Sequence, residues 1–459
     1  MYFSHRKIAP VLVIITLAFV VRGLTANFVR AHFDDPGWFQ SGSFSIFDRQ
    51  ARDVLDGRES VFWIPDSTRT DLIQYPPGNV IWVSAIYAAM GERSPESVQR
   101  VQWFMDALAV VLIIAIGVTA FNWTVGIAAG FLAALSPLLS LYAATPGSDV
   151  PTNWLILGAI WLLLLAYKRK SAGFAIGAGV LLGLSCWVRV NPLFLFIAWG
   201  IAFYILVGAS RKHRLGLALV MACATLLVIA PLITRNLVVF YPQIAPTGLN
   251  IGWNLLAGIG ETDRGAEFGA PCCDAKVIEQ DRRALGLPPD APLGLVYPDG
   301  IRRDRERGQR ALAIIRAHPI WYAGVMLKRT LAHLKLAGKP VPNVGSSGVN
   351  VTSAKCLPTE LQIMPISTAV TALGWIQSIL RYSALPFMLW GIWVAFRADF
   401  RMTTLLLSTV IYFLVTLAVG HSEIRYGLPM QALLIVFQAV GILDIGARLT
   451  GKFTTLLGR

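Results

Sequence analysis

Two adjacent carboxylates, Asp34 and Asp35, follow a long apolar run by about ten residues and stand among Phe33, Pro36 and Trp38. Neighbouring side chains cannot point the same way in regular structure, so one can face a pocket while the other caps or orients. A carboxylate held among aromatic rings has a raised proton affinity, which suits general-base work. Asp-Pro-Gly is equally ordinary turn chemistry, and both readings can hold at once. Further on come Arg100, Arg189, Glu423 and Arg425. An arginine at a helix end near a membrane surface either snorkels to head groups or grips a phosphate with its planar fork. Asp149, in Gly147-Ser148-Asp149-Val150-Pro151, reads as an N-cap with proline in the first turn, or as a site carboxylate. Asp48, Arg52 and Leu55 recur at helical spacing and predict a salt-bridged amphipathic helix. The cluster from Arg302 to Arg310 alternates with acids and reads as a solvated helix face.

The elements that must position these residues are membrane spans. The chain is 55% hydrophobic and only 14% charged, with a mean hydropathy of +0.59, against about 25% charged residues in soluble domains. A formal charge of +14 raises the question of nucleic acid, but no zinc spacing or aromatic RNA-binding motif accompanies it. Anionic membrane lipid is the simpler partner and no nucleic acid is expected. The segments 8–24, 103–120, 125–141, 150–166, 173–188, 192–207, 215–233, 383–396, 402–419 and 428–443 predict about ten transmembrane helices in an all-α polytopic fold. The run from Ile8 to Leu24 is long for a secretory signal and lacks a clear cleavage site, so it is read as the first span. With the N-terminus inside, Lys168 to Lys170, Arg211 to Arg214, Arg397, Arg401 and the C-terminal basic residues all fall on the cytoplasmic side, as the positive-inside rule requires. The short apolar stretch Gly78 to Met90 and the interrupted segment Ile320 to Leu336 are then interfacial.

This topology divides the chain into an N-terminal membrane module, 1–234, carrying a first extracytoplasmic loop at 25–99, a second extracytoplasmic region with interfacial helices at 235–380, and C-terminal transmembrane helices at 381–459. It also gathers Asp34, Asp35, Asp48, Arg100, Asp106, Asp149, Arg189, Arg235, His421, Glu423 and Arg425 at or just below the outer face. Ionisable groups at membrane depth line a cavity or pair with one another, so a shared outward-facing site is the working expectation. Cys272, Cys273 and Cys356 fall in the second outer region, where one bridge to Cys356 is compatible with an oxidising compartment. No P-loop, His-Glu-x-x-His motif or nucleophile elbow occurs. No cofactor is certain: a divalent metal is compatible with the chemistry, but no ligand set points to one.

The acidic pair after the first helix, Ala51 to Gly57, Tyr75-Pro76-Pro77-Gly78, Arg100, Ser136-Pro137, Ser148-Asp149-Val150-Pro151, Arg189, Pro231 to Asn236 and Glu423-Ile424-Arg425-Tyr426 occur in one order. In that order and spacing the chain resembles the GT-C superfamily of membrane glycosyltransferases. It is most similar to bacterial relatives of protein O-mannosyltransferases and of the aminoarabinose transferases that modify lipid A. The positive-inside reading puts both termini in the cytoplasm, and the resemblance implies a bacterial inner (plasma) membrane protein. It implies inverting transfer of a sugar from a polyprenyl-phosphate donor to a glycan, lipid or protein acceptor hydroxyl on the extracytoplasmic face. An acidic residue of the first outer loop would be the base. Distance from the first helix selects Asp34 and Asp35, whereas distance from Ala51 and Gly57 lands near Ser43, which is no base. The residue before the proline pair, often lysine in aminoarabinose transferases, is Tyr75 here, so that phosphate contact does not carry over. Arg189, Arg425 or Arg100 would neutralise the departing phosphate, with Tyr75, Glu423 and Asp149 beside them. The rival class is a transporter or lipid flippase with an outward-facing charged cavity, although transporters tend to hold their charges near the midplane on broken helices.

Overall fold

The computed structural model describes residues 5–34, 43–334, 351–421 and 423–451, and every regular element among them is helical. The first half of the chain folds as α1 (His5–Arg30), α2 (Ser43–Leu55), α3 (Gly78–Met90), α4 (Pro95–Ala120), α5 (Trp123–Leu135), α6 (Pro137–Ala144), α7 (Asp149–Arg169), α8 (Ala172–Val188), α9 (Leu195–Leu206) and α10 (Arg211–Phe240). Then come α11 (Ile251–Gly260), α12 (Asp274–Ala284), α13 (Gly300–Ala317) and α14 (Pro319–Leu334). The chain closes with α15 (Met364–Tyr382), α16 (Ala384–Ala398), α17 (Phe400–Val419) and α18 (Leu428–Leu449).

Among the described residues, α1, α4, α7, α10, α17 and α18 are the six helices long and apolar enough to cross a membrane. Two bent pairs, α5 with α6 at 55° and α15 with α16 at 51°, raise the number to eight. The count of about ten is thus approximate: six to eight helices have full length, and the other two of the ten, α8 and α9, are apolar but only 17 and 12 residues long. At about 1.5 Å per residue they reach roughly 26 and 18 Å, short of a hydrocarbon core of about 30 Å. Arg189 and Asn191-Pro192 end the apolar run between them, where the sequence reading also divides it into 173–188 and 192–207. Met364–Tyr382, placed in the second outer region by its position in the sequence, instead forms the first arm of a bent apolar pair.

Local chemistry sets the helix starts. Ser94 accepts from Ser97 N at 3.3 Å with Pro95 following it, Asn122 from Val125 N at 3.0 Å, and Asp399 from Met402 N at 3.0 Å. The break between α5 and α6 is a cap of the same kind: Ser136 accepts from Leu139 N at 3.3 Å and Pro137 opens the new helix. Small residues let the bundle close, since a Cβ on Gly179 would strike the Met221 carbonyl of α10, and one on Gly391 would strike the Phe437 carbonyl of α18.

Two sides of the bundle differ in charge. The α7 to α8 turn, with Lys170 in the left-handed region at φ 51°, accepts the His213 ring at 3.1 Å from Lys170 O, so the basic ends of α7 and α10 lie together. Arg401 reaches the chain at Gly208, bringing the α16 to α17 turn to the same side. Asp149 and Arg189 stand at the opposite ends of α7 and α8.

Three expectations are corrected. Arg302 and Glu306 are exposed, but Arg303, Asp304 and Arg307 are buried, so the α13 charges are not simply a solvated face. Asp281 draws Arg303 (2.6 Å) and Arg307 inward, and Asp304 caps α11 through Gly252 N (3.1 Å) and Trp253 N (2.9 Å). Asp106 does not join the shared site but is sealed against Arg22 of α1 at 2.7 Å. Among the described residues all cysteines are free: Cys356 is buried beside Phe28 and Phe33, while Cys272 and Cys273 are exposed with their sulfurs 3.6 Å apart.

Candidate active site

Arg189 leaves the end of α8 in extended backbone and turns its guanidinium onto the Asp149 carboxylate, which opens α7. Asp149 is thus not the N-cap: Ser148 holds that position, and the Asp149 side chain is committed to the arginine. The Arg189 guanidinium also lies over the Tyr426 ring, 4.6 Å from its centroid. Arg425 approaches the same ring at 5.4 Å and donates through Nε to Glu423. Asp149, Thr152, Arg189, Asn191, Arg425 and Tyr426 line one cleft where α7, α8, α17 and α18 end. Neither arginine snorkels. Each is oriented by a carboxylate and keeps further N–H groups for a ligand.

The carboxylate of Glu423 is buried and is shared with His421, whose Nε2 lies 3.3 Å away. His421 Nδ1 meets Glu261, at the end of α11, at 2.5 Å. Burial alone would raise the Glu423 pKa, but Arg425 and His421 outweigh it and hold it at about 2. Burial likewise works against the His421 imidazolium, yet Glu261 and Glu423 push its pKa up to about 9. The Trp253 ring stands edge-on to His421 at 5.3 Å.

This corner is held by close backbone contact. His421 N donates to Asn254 O at 2.7 Å, and a Cβ on Gly258 would come within 2.7 Å of His421 N. The open carbonyls at the end of α17 are taken by α14, with Tyr322 Oη donating to Val419 O and Arg329 Nη1 to Ala418 O at 3.1 Å.

Tyr75 comes near the cleft from the first loop. Leu249 N donates to Ile73 O at 3.0 Å and Asn250 Nδ2 to Gln74 O at 3.3 Å, so the second loop fixes the residues just before it. Gly78 then starts α3 so close to α8 that a Cβ would lie 2.5 Å from Trp187 O, two residues before Arg189. Burial raises the Tyr75 pKa, Asp274 adds to this, and Arg425 and Arg189 oppose it.

Of the residues expected to act together, Asp149, Arg189, Glu423 and Arg425 do meet around Tyr426, and Tyr75 stands near enough to feel Arg425, Arg189 and Glu423 without lining the cleft. Arg100 does not: it lies exposed on α4, 3.5 Å from Glu92. Asp34 is exposed in the turn after α1 and makes no ion pair with the cleft among the described residues, and Asp35 lies outside the described residues. Asp48 pairs with Arg52 at 3.0 Å, as its spacing predicts, and accepts from Tyr87 Oη at 2.5 Å. Glu261, Asp274 and Trp253 were not singled out from the sequence. Among the described residues no group of three His, Cys, Asp or Glu side chains is arranged to hold a metal ion.

Residues 76–234 match the dolichyl-phosphate-mannose-protein mannosyltransferase family. No curated protein matches the chain. Among solved structures, the oligosaccharyltransferase of Archaeoglobus fulgidus in the apo form aligns over 98% of this chain and 52% of its own, with a TM-score of 0.55 and 13% identity. The archaeal oligosaccharyltransferase AglB from the same organism, in complex with an inhibitory peptide and a dolichol-phosphate, aligns over 97% of this chain and 51% of its own, with a TM-score of 0.51 and 15% identity. ArnT from Cupriavidus metallidurans, bound to undecaprenyl phosphate, aligns over 96% of this chain and 79% of its own at 14% identity, with a TM-score of only 0.37. This chain spans about half the length of the oligosaccharyltransferases it matches. Residues 76–234 thus match the dolichyl-phosphate-mannose-protein mannosyltransferase family, within an all-α chain of several membrane-length apolar helices whose fold is similar to that of the archaeal oligosaccharyltransferases.

Proposed function

We propose that the protein is an inverting glycosyltransferase that moves a sugar from a polyprenyl-phosphate donor to an acceptor hydroxyl on the extracytoplasmic face of a bacterial inner membrane. The observation that carries this reading is the convergence of Arg189 and Arg425 on one cleft, each held by its own carboxylate, at the end of the bundle away from the basic turns. Two oriented guanidinium forks suit a phosphate whose charge grows as it departs. The positive-inside rule puts the basic turns in the cytoplasm and hence the cleft outside. The dolichol-phosphate bound to the archaeal oligosaccharyltransferase of similar fold supports a lipid phosphate as the leaving group.

In this mechanism the acceptor oxygen attacks the anomeric carbon from the face opposite the phosphate. The carbon–oxygen bond to the lipid phosphate breaks, its electron pair leaves with the phosphate, and configuration inverts. The acceptor proton passes to Asp34 or Asp35, and the arginines stabilise the departing group. Asp149 and Glu423 keep the forks aimed.

The transporter reading has one observation in its favour, a buried ion pair beside a broken helix. Arg22 bonds Asp106 at 2.7 Å, Ala134 O at 3.2 Å and Ala133 O at 3.4 Å, just before the break at Ser136. Arg22 is wholly inaccessible and Asp106 only 3% accessible, so the pair fastens α1, α4 and α5 and lines no pathway.

The experiment is to prepare Asp34→Asn and Asp35→Asn and to follow release of lipid phosphate from a polyprenyl-phosphate sugar in the presence of acceptor. One of the two should fold normally and lose about 10²- to 10⁴-fold in transfer, the usual worth of a positioned base. Near-normal transfer in both would remove the base from the first loop.

A further inference from the structure

Beside the cleft, on the other side of Tyr75, lies a second pocket that the mechanism does not use. Its charged and polar walls are Gln50, Glu59, Ser60 and Arg235, and Tyr75 closes one side. The cavity within its walls is small, about 20 Å³, and opens at its mouth. Arg235 sits near the end of α10. It lies 24 residues beyond Arg211, a rise of about 36 Å that exceeds the hydrocarbon thickness of about 30 Å, so it stands outside the core.

Among the described residues Arg235 has no carboxylate partner. Its Nε donates to Asn236 Oδ1 at 2.9 Å and Nη1 to Val61 O at 2.7 Å, while Nη2 is buried without a hydrogen-bond partner. Buried guanidinium groups are ordinarily paired, because removing the charge and its donors from water is costly. The acid in the same wall does not neutralise it: Glu59 is taken by Arg69 at 2.6 Å. Ser60 Oγ accepts from Phe62 N at 3.3 Å and Trp63 N at 3.2 Å, which leaves its own proton to donate. The pocket therefore offers an uncompensated cation, a hydroxyl donor and the Gln50 amide, and the complementary ligand is an anion.

We propose that this pocket binds an oxyanion, a carboxylate or phosphate carried by a substrate, with Arg235 as its counter-charge. Tyr75 lines this pocket and is near enough to the cleft for its hydroxyl to feel Arg425, Arg189 and Glu423. A substrate anchored by its charged group at Arg235 can thus extend past Tyr75 toward the reacting centre. Only the identity of that substrate rests on the glycosyltransferase reading; binding does not.

The test is direct titration of the purified full-length protein in detergent with inorganic phosphate, glucuronate and, as neutral control, glucose. Wild type and Arg425→Lys should share a phosphate- and glucuronate-binding event that glucose does not produce, and Arg235→Gln should weaken it about tenfold or more, at an unchanged thermal unfolding midpoint. Should Arg235→Gln fail to fold, Arg235→Lys, which keeps the charge but not the fork, should still bind and bind measurably less tightly. Equal affinity in wild type and the folded Arg235 variant would overturn the proposal. So would a binding event that disappears with Arg425→Lys and persists without Arg235. Because no transfer is measured, loss of the enzymatic reading would leave this result standing, and the reverse also holds.

Discussion

His421 lies between Glu261 and Glu423, and this fixes how the cleft answers to pH. Its folded pKa of about 9 is above the ordinary 6.5, so the stabilisation it brings is complete below about pH 6.5 and is lost as pH rises through about 9. Glu423 has the opposite sign: its pKa of about 2 is below the ordinary 4.5, so its contribution is present above about pH 4.5 and is lost as pH falls through about 2. His421→Gln should flatten the decline of the thermal midpoint between pH 6.5 and 9 that wild type shows in detergent, and a decline of the same steepness would exclude His421 as its source. At this scale the sequence was informative where charge type and helix end coincide. Asp149, Arg189, Glu423 and Arg425 stand beside span ends, and the cost of isolated charge there predicts that they gather. Glu261 and Asp274 lie among many other charges of the second outer region, and only its folding brings them to His421 and Tyr75. Arg100 misled for the opposite reason, since its place before a span did not reveal that it points to Glu92.

The helices carry a second set of consequences. The Arg22–Asp106 pair ties α1 and α4 to the end of α5, and α6 then leads to Asp149. Removing one partner of a buried pair costs about 3–5 kcal/mol because the other charge stays buried, whereas replacing both with apolar residues is often neutral. Arg22→Met alone should lower stability by about that amount, and Arg22→Met with Asp106→Leu should recover most of it. If the double variant is as unstable as the single one, the pair is not acting as a unit. Asp106 was legible as an ionisable residue in a span, but its partner was not, because Arg22 lies 84 residues away in α1. The Ser136-Pro137 pair does mark a helix break, yet an apolar run through residues 125–141 reads as one straight span until the 55° bend is seen.

For the whole molecule, orientation decides which compartment the cleft opens to. Single cysteines at Arg58 and Asp290, both exposed and both in the loop regions on the cleft side of the topology, should label from outside, and one at Arg169 only from inside. Labelling of Asp290 from the cytoplasm would reverse the assignment. The overall architecture was largely legible, because spans and basic turns follow from hydropathy and charge alone; the number of crossings was legible only approximately, because α8 and α9 are shorter than a full span. What the cleft does to a donor is the central claim. Purified protein with acceptor should be supplied with a polyprenyl-phosphate sugar and, separately, with the corresponding nucleotide sugar, and release of each leaving group followed. The account predicts release of lipid phosphate from the first donor and no turnover of the second, since the proposed function gives the cleft a lipid phosphate to hold and the sequence has no nucleotide-binding loop motif. Turnover of the nucleotide sugar, or movement of the lipid across vesicles without any glycosyl transfer, would contradict it.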